Sequence, residues 1–383
     1  MKLNQDEIKR YSRHLIMPEF GMKAQEKLKE SSVLIIGAGG LGCPLALYLG
    51  AAGVGKIGIV DFDTVDFSNL QRQVIYNTDD VGKYKADATK AKIEAMNPHI
   101  EVQVYKEAIK SHNALKIADG YDVIIDGTDN FPTRYLVNDL CAITGKTNVF
   151  GSIFRFDGQV TVFDAKQGPC YRCLYPDPPP PGMVPSCAEG GVLGILPGVV
   201  GVMQATEAIK VITGIGDPLI GRLLTFDALD MKYRELKIRK DPSCPVCSPN
   251  PSITELIDYE VFCGVPVGDI EEDTSSLAAL EITPKELKEE LNAGKKPYLL
   301  DVRNYNEYEI CIIEGSNKLP LDEIQNRVNE VPQDQEIITI CHHGKRSMRA
   351  LDILKQNGFK NVKSLRGGVE AWAVQVDPSM ARY

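Results

Sequence analysis

The first 240 residues alternate short apolar runs with longer stretches of helical period. Ser-Ser-Val-Leu-Ile-Ile-Gly at 31–37 is an apolar run bounded by polar residues, which predicts a buried strand. A glycine-rich turn follows, then a predicted helix from Gly42 to Ala52. Lys56–Asp61, Glu101–Tyr105 and Tyr121–Asp126 predict further strands. Between them the pattern predicts a helix over Lys83–Asn97, stopped before Pro98, and another over Thr133–Thr144, closed by Gly145. Strand-helix alternation of this kind predicts a parallel, doubly wound α/β sheet. Three closely spaced strand patterns, Gln159–Phe163, Arg222–Asp227 and Tyr233–Ile238, predict a mixed second half, with a helix near Val200–Thr213 between them.

Regular pattern is lost over 249–279, where prolines and the run Glu271-Glu272-Asp273 predict a linker. Its middle, Ile253 to Phe262, is apolar enough to dock on a surface. If fully flexible, about 30 residues would reach roughly 30 Å r.m.s.. A second α/β domain then begins cleanly. Thr283-Pro284-Lys285-Glu286 combines an N-cap, a proline at the first helical position and a capping-box glutamate. Tyr298–Val302, Glu336–Cys341 and Asn361–Leu365 predict strands, and Arg346–Asn357 a helix closed by Gly358. The expected domains are therefore 1–248, a linker at 249–279, and a smaller α/β domain at 280–383.

Composition narrows the function classes. The chain has 383 residues, a net charge of −9 and 43% hydrophobic residues. Such a balance supplies real cores and argues against direct grip on nucleic acid. The polar N-terminus offers no signal region, and no apolar run reaches membrane-spanning length, so the expectation is a cytoplasmic protein with no membrane partner. Four of the ten cysteines form two Cys-x-x-Cys pairs, Cys170/Cys173 and Cys244/Cys247. Their equal spacing suits a four-thiolate structural Zn²⁺ site that clips the end of the first domain to its body.

Gly37, Gly39 and Gly42 follow a strand and open a helix, the context in which a glycine loop brings backbone and helix N-terminus to a phosphate. Asp61 ends the next strand, where it can accept from ribose hydroxyls. These features alone leave NAD open. The stretch Ser68-Asn69-Leu70-Gln71-Arg72-Gln73 and then Lys85 add fixed positive charge, which a triphosphate needs and hydride transfer does not. Asp129 and Asn130, beyond the strand ending at Asp126, are placed to hold Mg²⁺ or phosphates, and Arg13 is a further candidate cation.

Here the chain resembles a family. Gly-Ala-Gly-Gly-Leu-Gly, Asp-Phe-Asp-Thr-Val-Asp-Phe-Ser-Asn-Leu-Gln-Arg-Gln, Gly-Thr-Asp-Asn, Cys-Tyr-Arg-Cys and Cys-Pro-Val-Cys, within residues 10–248, look like the ubiquitin-activating-type adenylyltransferases, in the molybdopterin-synthase and thiamine-biosynthesis branch. The resemblance implies ATP, and adenylation of the C-terminal glycine of a small ubiquitin-like sulfur carrier ending Gly-Gly. It assigns nucleotide contacts to Gly40, Asp61, Ser68 to Arg72, Lys85, Asp129 and Asn130, and places Arg13 on the phosphates from the other subunit of a homodimer. Cys187 follows the proline-rich segment 176–182. In ubiquitin-activating relatives a cysteine in the matching loop takes the acyl group as a thioester, while a loop cysteine without an essential role is the other reading.

The second candidate centre is Cys341-His342-His343-Gly344-Lys345-Arg346-Ser347, between a strand and a helix. A loop whose N–H groups turn inward at a helix N-terminus stabilises negative charge on sulfur, and Lys345 and Arg346 add to it. Cysteine phosphatases place an arginine six positions after the cysteine. Ser347 stands there, so the loop suits sulfur better than phosphate. Together with Leu300-Asp301-Val302-Arg303, Glu307-Tyr308-Glu309 and Arg366-Gly367-Gly368-Val369-Glu370-Ala371-Trp372, residues 283–383 resemble the rhodanese family. The resemblance implies a persulfide on Cys341, fed by a donor such as a cysteine desulfurase or thiosulfate. Asp301 and Arg303 take structural roles. Where many rhodaneses have Gly-His-Ile, Ile310-Cys311-Ile312 stands, so Cys311 is either a second thiol or a buried structural residue. The expected protein is an adenylyltransferase-sulfurtransferase serving molybdopterin, thiamine or thiolated-tRNA synthesis. The alternatives are an NAD-dependent oxidoreductase with a regulatory sulfur domain, or a redox-sensing binding protein for a ubiquitin-like partner.

Overall fold

The computed structural model describes residues 2–180, 190–264 and 280–383. The chain forms two compact units, Met1–Val267 and Gly268–Tyr383. The first is built on an eight-stranded sheet in the order β3-β2-β1-β4-β5-β6-β7-β8. Its strands are β1 (Ser32–Ile36), β2 (Lys56–Val60), β3 (Glu101–Tyr105), β4 (Val123–Asp126), β5 (Thr147–Phe154), β6 (Asp157–Phe163), β7 (Arg222–Asp227) and β8 (Lys232–Lys237). Pairing is parallel from β3 through β5 and antiparallel from β5 to β8, the mixed sheet that the pattern predicts.

β1 shows why its run is apolar without alternation. All five residues are buried, with Val33 and Ile35 in the core on one face and Leu34 and Ile36 in the core on the other. Helices Gly42–Ala52, Lys85–Met96 and Leu196–Thr213 cover the first face, and Ala114–Ala118 with Phe131–Thr144 covers the second. Ile36 pairs with Val60 on β2 and with Asp126 on β4, so the carboxyl ends of the three strands lie side by side. That edge carries the candidate nucleotide site.

Several elements differ from the sequence pattern, two of them in the packing of the first sheet. β5 was not anticipated, because Gly151 and Ser152 interrupt its apolar run. Gly151 is required there: a Cβ would lie 2.3 Å from the Gln204 side chain, whose amide N–H groups donate to the carbonyls of Asp126 and Val149. The helix expected from Val200 begins at Leu196 and runs through Gly198 and Gly201, since Gly201 lets the helix approach the Leu41 carbonyl.

The apolar segment after the second cysteine pair belongs to the first unit and packs on its body. Ser111 donates from its hydroxyl to the Ile257 carbonyl, and Lys110 pairs with Glu260. Tyr259, in the single helical turn Tyr259–Phe262, is buried and donates from its hydroxyl to Asp139 at 2.9 Å. Phe262 packs edge-on against Tyr135, with centroids 5.1 Å apart.

The second unit has a five-stranded parallel sheet in the order β11-β10-β12-β13-β9. Its strands are β9 (Glu281–Ile282), β10 (Tyr298–Asp301), β11 (Asn317–Lys318), β12 (Ile337–Ile340) and β13 (Val362–Leu365). The Thr283 capping box is present, with Thr283 accepting from the Glu286 N–H and Glu286 accepting from the Thr283 N–H. β12 is buried throughout and delivers Cys341 to the carboxyl edge of the sheet. Among the described residues no helix is long and apolar enough to cross a membrane.

Candidate active sites

A cavity of about 1100 Å³ opens over the carboxyl ends of β1, β2 and β4. It is lined by Gly37, Gly39, Gly40, Asp61, Asn69, Arg72, Lys85, Asp129 and Asn130, so the fold brings together nine of the candidate nucleotide residues. Gly37 takes φ +92°, and a Cβ there would sit 2.9 Å from the Gly127 carbonyl oxygen, so both its conformation and its space demand glycine. Asp61 is buried and accepts from the Ala38 N–H at 2.7 Å and the Asp63 N–H at 2.8 Å. Burial nevertheless pushes its carboxyl above the usual range. Lys85 is buried and pairs with Asp63 at 3.0 Å. Arg72 is held by the Ser68 carbonyl at 3.0 Å. Asp129 is exposed, and the Asn130 side chain caps the next helix by accepting from the Thr133 N–H.

The remaining candidates lie outside this lining. Gly42 closes the loop from behind, where a Cβ would meet the Gly37 carbonyl at 2.0 Å. Ser68 turns to Asp66, which accepts from its N–H and its hydroxyl. Leu70 packs against the core and Gln71 lies against Gly194. Arg13 is exposed on the helix Ser12–Leu15, away from its own chain's cavity. Other lining residues were not anticipated: the buried Gln73, the loop Glu107–His112, and Leu256 to Glu260. The only sequence signal for the last group is the apolar run at Ile253–Phe262.

Cys170, Cys173, Cys244 and Cys247 converge, with all four sulfurs within 4.8 Å of one another. Sulfur separations of 3.9, 3.5 and 3.4 Å join Cys170 to Cys173, Cys170 to Cys244, and Cys173 to Cys247. Four thiolates at 2.3 Å from a tetrahedral ion stand roughly 3.8 Å apart, so the group fits a metal of zinc type. Cys187 lies outside the described residues.

In the second unit Cys341 is buried, and its sulfur accepts from the Gly344 N–H at 3.1 Å. Its thiol donates to the Ser347 hydroxyl at 3.4 Å, which donates in turn to the Gly344 carbonyl. Gly344 takes φ +99° as the N-cap of Lys345–Gln356, which turns the loop inward. The Gly367-Gly368 signature supports the loop from outside. The Val369 N–H donates to the Cys341 carbonyl at 2.9 Å, and a Cβ on Gly368 would meet that carbonyl at 2.2 Å.

Charges around this loop are paired. Arg346 makes a two-pronged bond to Glu307 at 2.6 and 2.7 Å, and Lys345 is exposed. Burial works against the Glu307 carboxylate, yet Arg346 and the Asn304 N–H outweigh it and hold the pKa down at about 2. Arg303 is fully buried on Asp301, donates to the Cys311 carbonyl at 2.8 Å, and donates to the Tyr383 hydroxyl at 2.9 Å. Tyr383 donates to Glu307 at 2.8 Å and stacks on His342 with centroids 4.0 Å apart. Burial, with His343 alongside, lowers the His342 pKa to about 4. Tyr383 was not anticipated as part of this network.

Two family models match the chain: the ThiF family over residues 11–246 and the rhodanese-like domain over 283–375. The chain belongs to the ThiF family, extended by a rhodanese-like domain. It is 51% identical to the probable adenylyltransferase/sulfurtransferase MoeZ of Mycobacterium tuberculosis, over all of this chain and 96% of that protein. It is 45% identical to the adenylyltransferase and sulfurtransferase MOCS3 of Drosophila sechellia, over all of this chain and 86% of that one. It is accordingly an enzyme of the adenylyltransferase and sulfurtransferase kind. Among solved structures, Escherichia coli MccB with ATP shares the fold at 23% identity and a TM-score of 0.56, covering 64% of this chain and 75% of that one.

Proposed function

We propose that the chain adenylates the C-terminal glycine of a small ubiquitin-like sulfur carrier with ATP, and then transfers sulfur to the activated carboxyl. The observation that carries this reading is the lining of the first cavity. A glycine loop and a ribose acceptor share it with two fixed cations, Arg72 and Lys85, that suit a triphosphate. The carrier's carboxylate attacks the α-phosphorus, and pyrophosphate leaves. Arg72 and Lys85 stabilise the charge gathered on the phosphates, and Arg13 joins them if a second subunit supplies it. No side-chain nucleophile is required for this step. Asp129 would hold Mg²⁺, which supplies further neutralisation of phosphate charge when bound. Cys170, Cys173, Cys244 and Cys247 would hold Zn²⁺ with no open position, so its contribution is to folding.

Sulfur transfer follows on Cys341. Its terminal persulfide sulfur attacks the acyl carbon; a carbon–sulfur bond forms, the bond to AMP breaks, and an acyl disulfide results. A thiolate then attacks the Cys341 sulfur, which releases the carrier thiocarboxylate and leaves a disulfide for a dithiol to reduce. Cys187 is a candidate for that second thiol, or for an intermediate thioester. The products suit molybdopterin, thiamine or thiolated-tRNA synthesis, and a cysteine desulfurase or thiosulfate suits the donor role. ATP–pyrophosphate exchange that depends on a Gly-Gly-ending carrier tests the first half, and absence of exchange with every such carrier encoded by the source genome overturns it. The NAD alternative loses ground on the same observation, because hydride transfer has no use for this cluster of phosphate-binding charge.

A further inference from the structure

The ThiF match ends at residue 246, yet Leu256 to Glu260 line the same cavity as the glycine loop. We propose that this segment is the wall against the nucleobase of the bound nucleotide, and that occupancy of the site stiffens the stretch of chain running on from the cysteine cluster. The proposal rests on the adenylation reading.

Sheet order fixes which end of the cavity the segment occupies. The glycine loop, at the carboxyl end of β1, marks the phosphates, and Asp61, at the carboxyl end of β2, marks the ribose. β2 lies between β1 and β3. A nucleotide held at those two points therefore carries its base beyond β2, over the end of β3. The loop that leaves β3 contributes Glu107 to His112 to the lining, and it is to this loop that the segment is tied. Ser111 bonds the Ile257 carbonyl and Lys110 pairs with Glu260.

The chemistry of the wall suits a flat heteroaromatic ring. Leu256 and Ile257 pack against the core cluster that includes Ile109 of the β3 loop, and all three line the cavity as apolar surface. A third tie fixes the wall from behind, since Tyr259 bonds Asp139, which also holds the buried Arg172 at 2.8 Å. Arg172 lies between Tyr171 and Cys173, so the segment and the cysteine cluster share one buried anchor. A base seated against Leu256 and Ile257 would limit opening of residues 256–262, and those two side chains would set how well a purine fills the site.

Two measurements on the full-length protein test this. Hydrogen exchange with and without Mg²⁺–ATP, in the absence of carrier, should slow the amides of 256–262 together with those of the glycine loop. The double variant Leu256→Ala/Ile257→Ala should raise the ATP KM in pyrophosphate exchange roughly 10-fold and leave kcat within about twofold, since each loses apolar contact made equally in ground and transition states. Protection of the glycine loop without protection of 256–262, or an unchanged KM in the variant, overturns the wall and spares the nucleotide reading. Absence of protection at both overturns the nucleotide reading and the wall with it.

Discussion

The two chemical centres differ in how far their charged groups are committed to one another. Around the first cavity part of the charge borders open space: among the described residues Arg72 is held by the Ser68 carbonyl and Asp129 is exposed, while the buried Lys85 pairs with the half-exposed Asp63. Around Cys341 the charged groups are spent on one another. Asp301 holds Arg303, and Glu307 holds Arg346 with two bonds and accepts from Tyr383. The difference teaches what each centre is for. A site that takes an external polyanion must keep its cations available, whereas a loop that keeps sulfur on its own thiol needs a fixed, water-poor shell, with backbone N–H groups facing the sulfur. The cation one would pick by sequence proximity, Arg346, is a brace for that shell.

The sharpest way to break the comparison is to remove the sulfur. Cys341→Ser should lower carrier thiocarboxylate formation at least about 1000-fold, because a hydroxyl cannot carry sulfane sulfur, and should leave pyrophosphate exchange within about twofold. A parallel fall in both activities would show that the two centres do not work independently. Arg72→Ala is the converse. Removing a charge that stabilises the phosphoryl transition state should cost roughly 100- to 1000-fold in the exchange reaction, while thiosulfate-to-cyanide sulfur transfer stays at the parent rate.

How much of each centre was legible in the sequence follows from distance along the chain. Gly37, Asp61, Arg72 and Lys85 were readable because a parallel sheet sends consecutive βα turns to one edge, so motifs near one another in sequence meet there. Cys341 was readable for the same reason, on a single strand-loop-helix turn. The capped helix start at Thr283 and the unbroken apolar strands followed from local pattern. Contacts that close the sites were not readable. Lys110 meets Glu260 across 150 positions and Tyr383 meets Glu307 across 76, and no local period announces either pairing. β5 was hidden by Gly151, which serves the packing of Gln204 and not the pattern of its own strand.

The brace at Arg346 gives a smaller, structural test. Glu307→Ala leaves a largely buried guanidinium unpaired and removes an acceptor from Tyr383, so the second unit should lose about 3 kcal/mol of stability. The protein's one tryptophan, Trp372, is buried in that unit and reports its unfolding in urea. A loss below about 1 kcal/mol would mean that the paired charges around Cys341 are surface decoration, and the contrast with the first cavity would weaken.

Acidification from pH 7 to pH 5 should weaken the second unit through His342. In the second unit His342 is neutral and buried, with its pKa lowered to about 4 from 6.5 by burial and by His343, against the opposing carboxylates of Glu307 and Glu370. Below pH 6.5 the unfolded chain takes up a proton that the folded unit refuses, so stability falls until about pH 4, by about 2 kcal/mol at pH 5. Glu307 does not contribute in this window, because its stabilisation is lost only between 4.5 and about 2. In the first unit the shift runs the other way. Burial raises the carboxyls of Asp61 and Asp126 above their usual values, so the folded unit binds protons ahead of the unfolded chain, and this pair favours folding as pH falls. Trp372 fluorescence should therefore show an earlier urea midpoint at pH 5, and His342→Gln should abolish most of that shift. A urea midpoint for Trp372 that is unchanged at pH 5 would mean that His342 is hydrated and free to protonate, and that the shell around Cys341 is as open to water as the nucleotide cavity.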